Sequence, residues 1–216
     1  MSSTTPVVYV VDDDISVRES LEGLIQSEGW QPQTFPSAQA FLSRVPACVP
    51  SCLVLDVSLP DLNGLDVQER VAAERCEMPI IFITGHGDVP MTVRAMKAGA
   101  TEFLTKPFCD DTLIAAIRAA IARSEAALGH AAELRTLRTR HTSLSRRERE
   151  VMALVVSGML NKQIGHQLSI SEITVKAHRG RVMRKMDAGS LAELVTMAAR
   201  LDVTRGPAPA TDTIVH

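Results

Sequence analysis

A doubly wound α/β domain with a parallel sheet, followed by an all-helical domain, is the fold this sequence predicts, and three features predict it. Val7-Val8-Tyr9-Val10-Val11, Cys52-Leu53-Val54-Leu55 and Ile80-Ile81-Phe82-Ile83 are apolar at every position, as strands buried on both faces require. Each run is followed by a stretch of helical period. Beyond residue 110 the strand signal stops and only helical periodicity remains.

The elements follow in order. After the first strand, Val17, Leu21, Leu24 and Ile25 recur at three- and four-residue steps until Gly29 stops the helix. Weaker strands fit Gln31–Phe35 and Glu102–Thr105. Helices fit Ser37–Arg44, Leu65–Arg75, Val89–Ala98 and the chain from Asp110 onward. This is βα repeated five times, hence a five-stranded parallel sheet. From Asp110 to about Arg140 the pattern is one long helix, with Leu113, Ile114, Ile117 and Ile121 and then Leu128, Leu134 and Leu137. Gly129 and His130 are where it would break. The Arg-rich stretch Glu133–Arg140 reads as a linker. From Leu144 the chain is helical, with turns at Gly158, Ser169–Ser171 and Gly189. The tail, with Gly206, Pro207 and Pro209, is expected to be disordered. The predicted organisation is an α/β domain over 6–124, a helical linker over 125–142, a helical domain over 143–203 and a tail over 204–216.

Composition narrows the function classes. A chain of 216 residues accommodates one or two domains, and 45% hydrophobic with 22% charged residues excludes wholesale disorder, collagen-like repeats and coiled coil. No apolar run approaches the roughly 18–20 residues that span a bilayer, and Met1–Pro6 lacks the pattern of a secretory signal. The expectation is a cytoplasmic protein without a membrane partner. Cys48, Cys52, Cys76 and Cys109 form no CxxC pair and read as reduced thiols. The formal net charge of −2 hides an asymmetry: residues 1–125 hold 17 acidic and 9 basic side chains, and residues 126–216 hold 8 acidic and 14 basic. An acidic, cation-using front joined to a basic, nucleic-acid-binding back gives this pattern, as does chance segregation of solvated charge.

Ligands of such sheets sit beyond the carboxyl ends of the strands. Asp12, Asp13 and Asp14 close the first strand, Asp56 the third, Thr84 the fourth and Lys106-Pro107 the fifth. Carboxylates packed together repel unless a cation lies among them, and Mg²⁺ suits an all-oxygen site. With Lys106 as a fixed charge and Thr84 as a hydroxyl donor, the set suits phosphoryl transfer to one carboxylate. Asp14, beside Ile15-Ser16, reads instead as a helix cap. Met91 and Met96 read as packing residues. His86, in a Gly-His-Gly turn, either lines the site or is a solvated loop residue.

Val10-Val11-Asp12-Asp13-Asp14, Leu55-Asp56-Val57-Ser58-Leu59-Pro60, Ile83-Thr84-Gly85-His86-Gly87 and Thr105-Lys106-Pro107-Phe108 together resemble the landmarks of a response-regulator receiver domain over residues 6–124. The resemblance implies Asp56 as phosphoacceptor. It implies Asp13 and Asp56 as Mg²⁺ ligands, Asp12 acting through water, and the Ser58 carbonyl completing the set. Thr84 and Lys106 would bind phosphoryl oxygens. Phe103 occupies the aromatic switch position, where family members often carry Tyr. The Lys106-Pro107 bond is expected to be cis. Ser58 and His86 fall where family members often tune dephosphorylation.

In the basic half, Leu144-Ser145-Arg146-Arg147-Glu148 opens a helix with a capping box, Ser145 as N-cap and Glu148 three residues on. Asn161-Lys162-Gln163-Ile164-Gly165, a turn at Ser169–Ser171 and a second helix capped by Ser171 read as helix-turn-helix. Ile164, Leu168, Ile170, Val175, Val182 and Met186 suit its core. Lys162 and, on the second helix, Thr174, Lys176, His178, Arg179, Arg181, Arg184 and Lys185 form the candidate DNA-binding set. Gly165 suits close helix approach. Gly180 either admits the DNA backbone or is tolerated drift.

Residues 144–200 resemble the LuxR-type helix-turn-helix domain, so the whole chain resembles a response regulator of the FixJ/NarL type. The resemblance implies a sensor histidine kinase as phosphodonor, promoter DNA as target, a homodimer formed on phosphorylation, and RNA polymerase as a further partner. Beyond its own phosphorylation and dephosphorylation it would not be an enzyme. An aspartate-nucleophile phosphatase is the rival from the enzyme class. Asp56 is followed by Val57-Ser58, so the second Asp of that chemistry is missing. A pure protein-interaction module is the remaining rival.

Overall fold

The computed structural model describes residues 5–44, 48–74, 78–85 and 89–203. The predicted disordered tail, His86 and Cys76 lie outside them. Two compact units divide at His130–Ala131, inside a helix.

In the first unit, β1 (Val7–Val11), β2 (Gln31–Phe35), β3 (Ser51–Asp56), β4 (Ile80–Thr84) and β5 (Glu102–Thr105) form a parallel sheet in the order β2-β1-β3-β4-β5. Every residue of β1, β3 and β4 is buried, which explains their unbroken apolar sequences. Alternate residues feed opposite faces. Tyr9, Val11, Leu53, Leu55 and Phe82 pack with α2 (Ala38–Leu42), α3 (Gly64–Glu74) and α4 (Val89–Lys97) through Phe41, Val67, Val71 and Ala95. Val8, Val10, Val54, Ile81 and Ile83 pack with α1 (Ile15–Ser27) and α5 (Asp110–Thr142) through Leu21, Ile25, Leu113 and Ile117. The strand order reverses beside β1, so the carboxyl ends of β1 and β3 open a crevice.

Local signals set the element ends. Asp14 caps α1, accepting the Ser16 N–H at 2.8 Å, and Gly29 follows the helix at φ +80°. Ser37 caps α2 through the Ala40 N–H. The helix α5 runs 33 residues without a break at Gly129 or His130. A lone helical glycine costs only about 1 kcal/mol, too little to end a helix whose apolar side is packed. Met91 packs on the sheet, whereas Met96 is exposed rather than a packing residue. Cys48 and Cys109 are exposed free thiols, and burial pushes the Cys52 thiol up to about 12.

The second unit holds the end of α5, α6 (Arg146–Val156), α7 (Asn161–Leu168), α8 (Glu172–Met186) and α9 (Leu191–Arg200). Its core is Leu144, Val151, Met152, Val155, Ile164, Val175, Val182, Met186, Leu194 and Ala198. Leu168 and Ile170 pack against it. Ser145 and Glu148 form the capping box of α6, and Ser171 caps α8. Arg140 donates to Asp187 Oδ2 at 2.7 Å and to the Met186 carbonyl, fastening the last turns of α5 to the end of α8.

Candidate functional site

Asp12 follows β1 and Asp56 ends β3, so register alone brings them to one sheet edge. Both are buried. Lys106, just after β5, donates from Nζ to Asp12 Oδ2 at 2.6 Å and to Asp56 Oδ2 at 2.7 Å. Its loop is held by its own N–H, which donates to the Thr84 carbonyl at 2.7 Å, and the Lys106-Pro107 bond is cis. The remaining oxygens of the two carboxylates accept backbone N–H groups: Asp14 to Asp12 Oδ1 at 3.0 Å and Ser58 to Asp56 Oδ1 at 2.8 Å. The Asp13 carboxylate is exposed. One oxygen each from Asp12, Asp13 and Asp56 falls within a 4.8 Å cluster.

The electrostatics follow from this crowding. Burial pushes the Asp12 carboxyl above its usual range, against the lowering pull of Lys106 and the Asp14 N–H. Burial alone would lower the Lys106 ammonium, but its hydrogen bonds to Asp12 and Asp56 outweigh that and raise it. Two carboxylates thus share one ammonium, with the Asp13 carboxylate beside them. An all-oxygen donor set with surplus negative charge is the chemistry a small divalent cation takes. Thr84 is fully buried at the end of β4. Phe103 is half-buried on β5, its ring centroid 6.1 Å from that of Phe82.

One residue the sequence did not single out braces the site. Arg18, on α1, donates from one guanidinium nitrogen to the Asp12 carbonyl at 2.6 Å and the Asp13 carbonyl at 2.9 Å. This holds the loop that carries both carboxylates. A lone Arg on an amphipathic helix gives no sequence signal for such a role. A second is Gly64: an added Cβ would sit 2.9 Å from the Asp56 carbonyl oxygen and 3.1 Å from the Phe82 ring.

In the second unit the basic set divides. Lys162 is exposed on α7. On α8, Lys176, Arg181 and Arg184 are exposed on the side away from the buried Val175, Val182 and Met186. Thr174, His178 and Arg179 were expected to be exposed and are half-buried. The Thr174 hydroxyl pairs with Ser171 Oγ at 2.8 Å, and Arg179 donates to Asn161 Oδ1 at 2.7 Å. His178 Nδ1 is buried without a hydrogen-bond partner among the described residues. Lys185 is exposed as expected, yet its Nζ lies 2.6 Å from Glu148 Oε2 of α6. The Arg179 and Lys185 pairings share a cause: side chains on the flanks of α8 lie within reach of the neighbouring helices α7 and α6. Gly165 permits the tight turn, since a Cβ there would lie 2.8 Å from the Ile170 carbonyl oxygen.

The chain matches the response regulator receiver domain family over residues 8–118 and the luxR family of bacterial regulatory proteins over residues 142–198. It is 48% identical over 203 residues to nodulation protein W of Bradyrhizobium diazoefficiens, covering 94% of this chain and 89% of that protein. It is 45% identical over 193 residues to transcriptional regulatory protein FixJ of the same organism, covering 89% and 94%. Among solved structures it resembles response regulator StyR, with TM-score 0.82 and 43% identity over 91% of this chain and 100% of that one. Full-length FixJ from B. japonicum matches with TM-score 0.55 and 44% identity over 92% and 98%. With an acidic crevice closing its parallel sheet and a basic helix-turn-helix after it, the chain belongs to the two-component response regulators that join a receiver domain to a LuxR-type DNA-binding domain.

Proposed function

We propose that Asp56 accepts a phosphoryl group from the phosphohistidine of a sensor histidine kinase in a Mg²⁺-dependent step, and that this promotes receiver pairing and promoter binding. The observation that carries the proposal is Lys106, hydrogen-bonded at once to Asp56 and Asp12, with Asp13 completing the acidic cluster. In the transfer, an Asp56 carboxylate oxygen forms the new P–O bond as the P–N bond to the kinase imidazole breaks. Lys106 moves its hydrogen bond from the carboxylate to a phosphoryl oxygen, and Thr84 supplies a hydroxyl donor. Asp12, Asp13, Asp56 and the Ser58 carbonyl would hold the metal. Mg²⁺, when bound, neutralises charge on the equatorial phosphoryl oxygens.

Thr84 drawn toward the phosphoryl group vacates space for Phe103, whose ring already packs near Phe82. Without a phenolic hydroxyl, this switch works by ring position alone. The face built by α4 and β5 then pairs with its counterpart on a second chain. Pairing brings two α8 helices to two half-sites, which raises DNA affinity by making the second contact effectively intramolecular. No helix among the described residues is long and apolar enough to cross a membrane. The reading is of a cytoplasmic regulator that recruits RNA polymerase and turns over no ester beyond its own aspartyl phosphate.

The test is labelling by a small phosphodonor. Labelling is expected with Mg²⁺, and neither in EDTA nor in Asp56→Asn. Equal labelling in EDTA would overturn the metal role, and labelled Asp56→Asn the acceptor. Sedimentation and DNA binding with beryllofluoride test the second half. A chain that stays monomeric at micromolar concentration yet gains DNA affinity would overturn pairing.

A further inference from the structure

Ile173 has the highest exposure, 79%, among the large hydrophobic side chains of the described residues. A single exposed isoleucine is unremarkable by itself. Its position is not. It lies in the first turn of α8, the part of a recognition helix whose side chains reach base edges. It lies on the side away from the core residues Val175, Val182 and Met186, the side that carries Lys176, Arg181 and Arg184. The residues one and two turns further along that side, Ala177 and Gly180, are small. Nothing lies within 4 Å of the position a Gly180 Cβ would take, so protein packing does not require that glycine. Ile173 therefore stands above its neighbours on a surface whose flanking charge matches a phosphate backbone.

Two polar side chains near it are held within the protein, Thr174 by Ser171 and Arg179 by Asn161. Ile173 is thus the large apolar side chain that the helix start offers the major groove. The one apolar feature of the major-groove edge is the 5-methyl group of thymine.

We propose that Ile173 is a specificity-determining residue that packs on a thymine methyl group, so that the domain selects thymine at one position of each half-site by an apolar contact. The inference rests on the DNA-binding reading above. Lys176, Arg181 and Arg184 supply affinity that is largely indifferent to sequence, and Ile173 supplies discrimination.

The experiment selects bound duplexes with the full-length chain in beryllofluoride, then replaces each thymine of the selected half-site by uracil, which differs there only by the missing methyl. One position is expected to weaken binding about fourfold, the worth of one buried methyl-sized group. Ile173→Ala should bind the thymine and uracil duplexes equally, while Ile173→Val keeps part of the difference. Both variants should melt as the parent does, since the side chain makes no core contact. The salt dependence of binding should not change, because no phosphate contact is lost. A parent chain indifferent to every uracil replacement would overturn the proposal, as would an Ile173→Ala chain that keeps the full difference. If the parent selects no sequence at all, the DNA-binding reading fails, and this inference fails with it.

Discussion

Lys185 Nζ lies 2.6 Å from Glu148 Oε2, joining α8 to the first turn of α6, and the glutamate is only 3% exposed. The same oxygen accepts the Ser145 N–H at 2.8 Å as the capping box closes. A residue in the basic stripe is therefore a strut of the helical domain. Lys185→Met should leave a buried carboxylate short of its cation and destabilise that unit by about 2 kcal/mol. Thermal unfolding of the variant measures this as a fall of roughly 8–16 °C for a domain of this size. An unchanged melting temperature would show the pair to be ornamental.

The same pair predicts a pH dependence. The Lys185 hydrogen bond and the Ser145 N–H hold the Glu148 carboxyl down at about 2, from an ordinary 4.5. A depressed folded value stabilises above the ordinary one, and that gain is lost as pH falls from about 4.5 toward about 2. The stability difference between parent and Lys185→Met should thus be full at neutral pH and shrink through this window. Melting curves of both chains across it decide the point.

In the proposed mechanism Lys106 would compete with the metal for the carboxylates it already bonds, those of Asp12 and Asp56. Lys106→Ala removes one positive charge from between Asp12 and Asp56, so Mg²⁺ should bind more tightly, by about tenfold for one charge at this range. Labelling of Asp56 should slow in the same variant, because the phosphoryl oxygens lose a donor. Calorimetric titration with Mg²⁺ alone tests the first half. Weaker binding would show that Lys106 organises the carboxylates rather than competing for them.

Gly64→Ala places a methyl 2.9 Å from both the Asp56 carbonyl oxygen and Val57 Cα. The backbone at Asp56 and Val57 must move to admit it, at a cost of about 1–3 kcal/mol. Both the melting temperature of the receiver and the labelling rate should fall. Normal labelling in a destabilised chain would show that the loop moves without disturbing the carboxylate.

Two glycines of the helical domain should behave oppositely. Gly165→Ala puts Cβ 2.8 Å from the Ile170 carbonyl oxygen, whereas Gly180→Ala meets nothing within 4 Å. The first should destabilise by about 1–3 kcal/mol, and the second stabilise by about 1 kcal/mol through helix propensity. If Gly180 serves DNA approach, its alanine variant melts higher yet binds DNA more weakly. Unchanged affinity would mark it as drift.

Much of this molecule was legible in its residues. The strand β1 begins and ends where its apolar run does, and β3 and β4 extend only one residue past theirs at either end, if at all, because burial on both faces of a parallel sheet writes itself into every position. Asp12, Asp56 and Lys106 converge because parallel strands place their carboxyl ends together, which topology alone dictates. Long-range polar pairing was not legible. Nothing in the spacing of Lys185 and Glu148, or of Arg179 and Asn161, distinguishes a brace from a solvated charge. Arg18 clamping two carbonyls, and Ile173 standing free of the core, likewise depend on how helices are rotated. Charged and apolar residues at a helix flank are periodic either way.

Asp61, in the loop after β3, accepts the N–H groups of Ala38 at 3.3 Å and Gln39 at 2.9 Å, the first two residues of α2. Burial would raise its carboxyl, but these donors outweigh that and hold it below its usual range. A helix of five residues is too short to nucleate alone in water. Its start is completed from 22 and 23 positions downstream, by a loop that follows β3, the partner of β1 in the sheet. The contact is remote along the chain, and loop-closure entropy delays such contacts in folding. During folding, α2 is therefore expected to form after the β1–β3 pairing, its Phe41 closing late over Tyr9 and Phe35 and not acting as a seed.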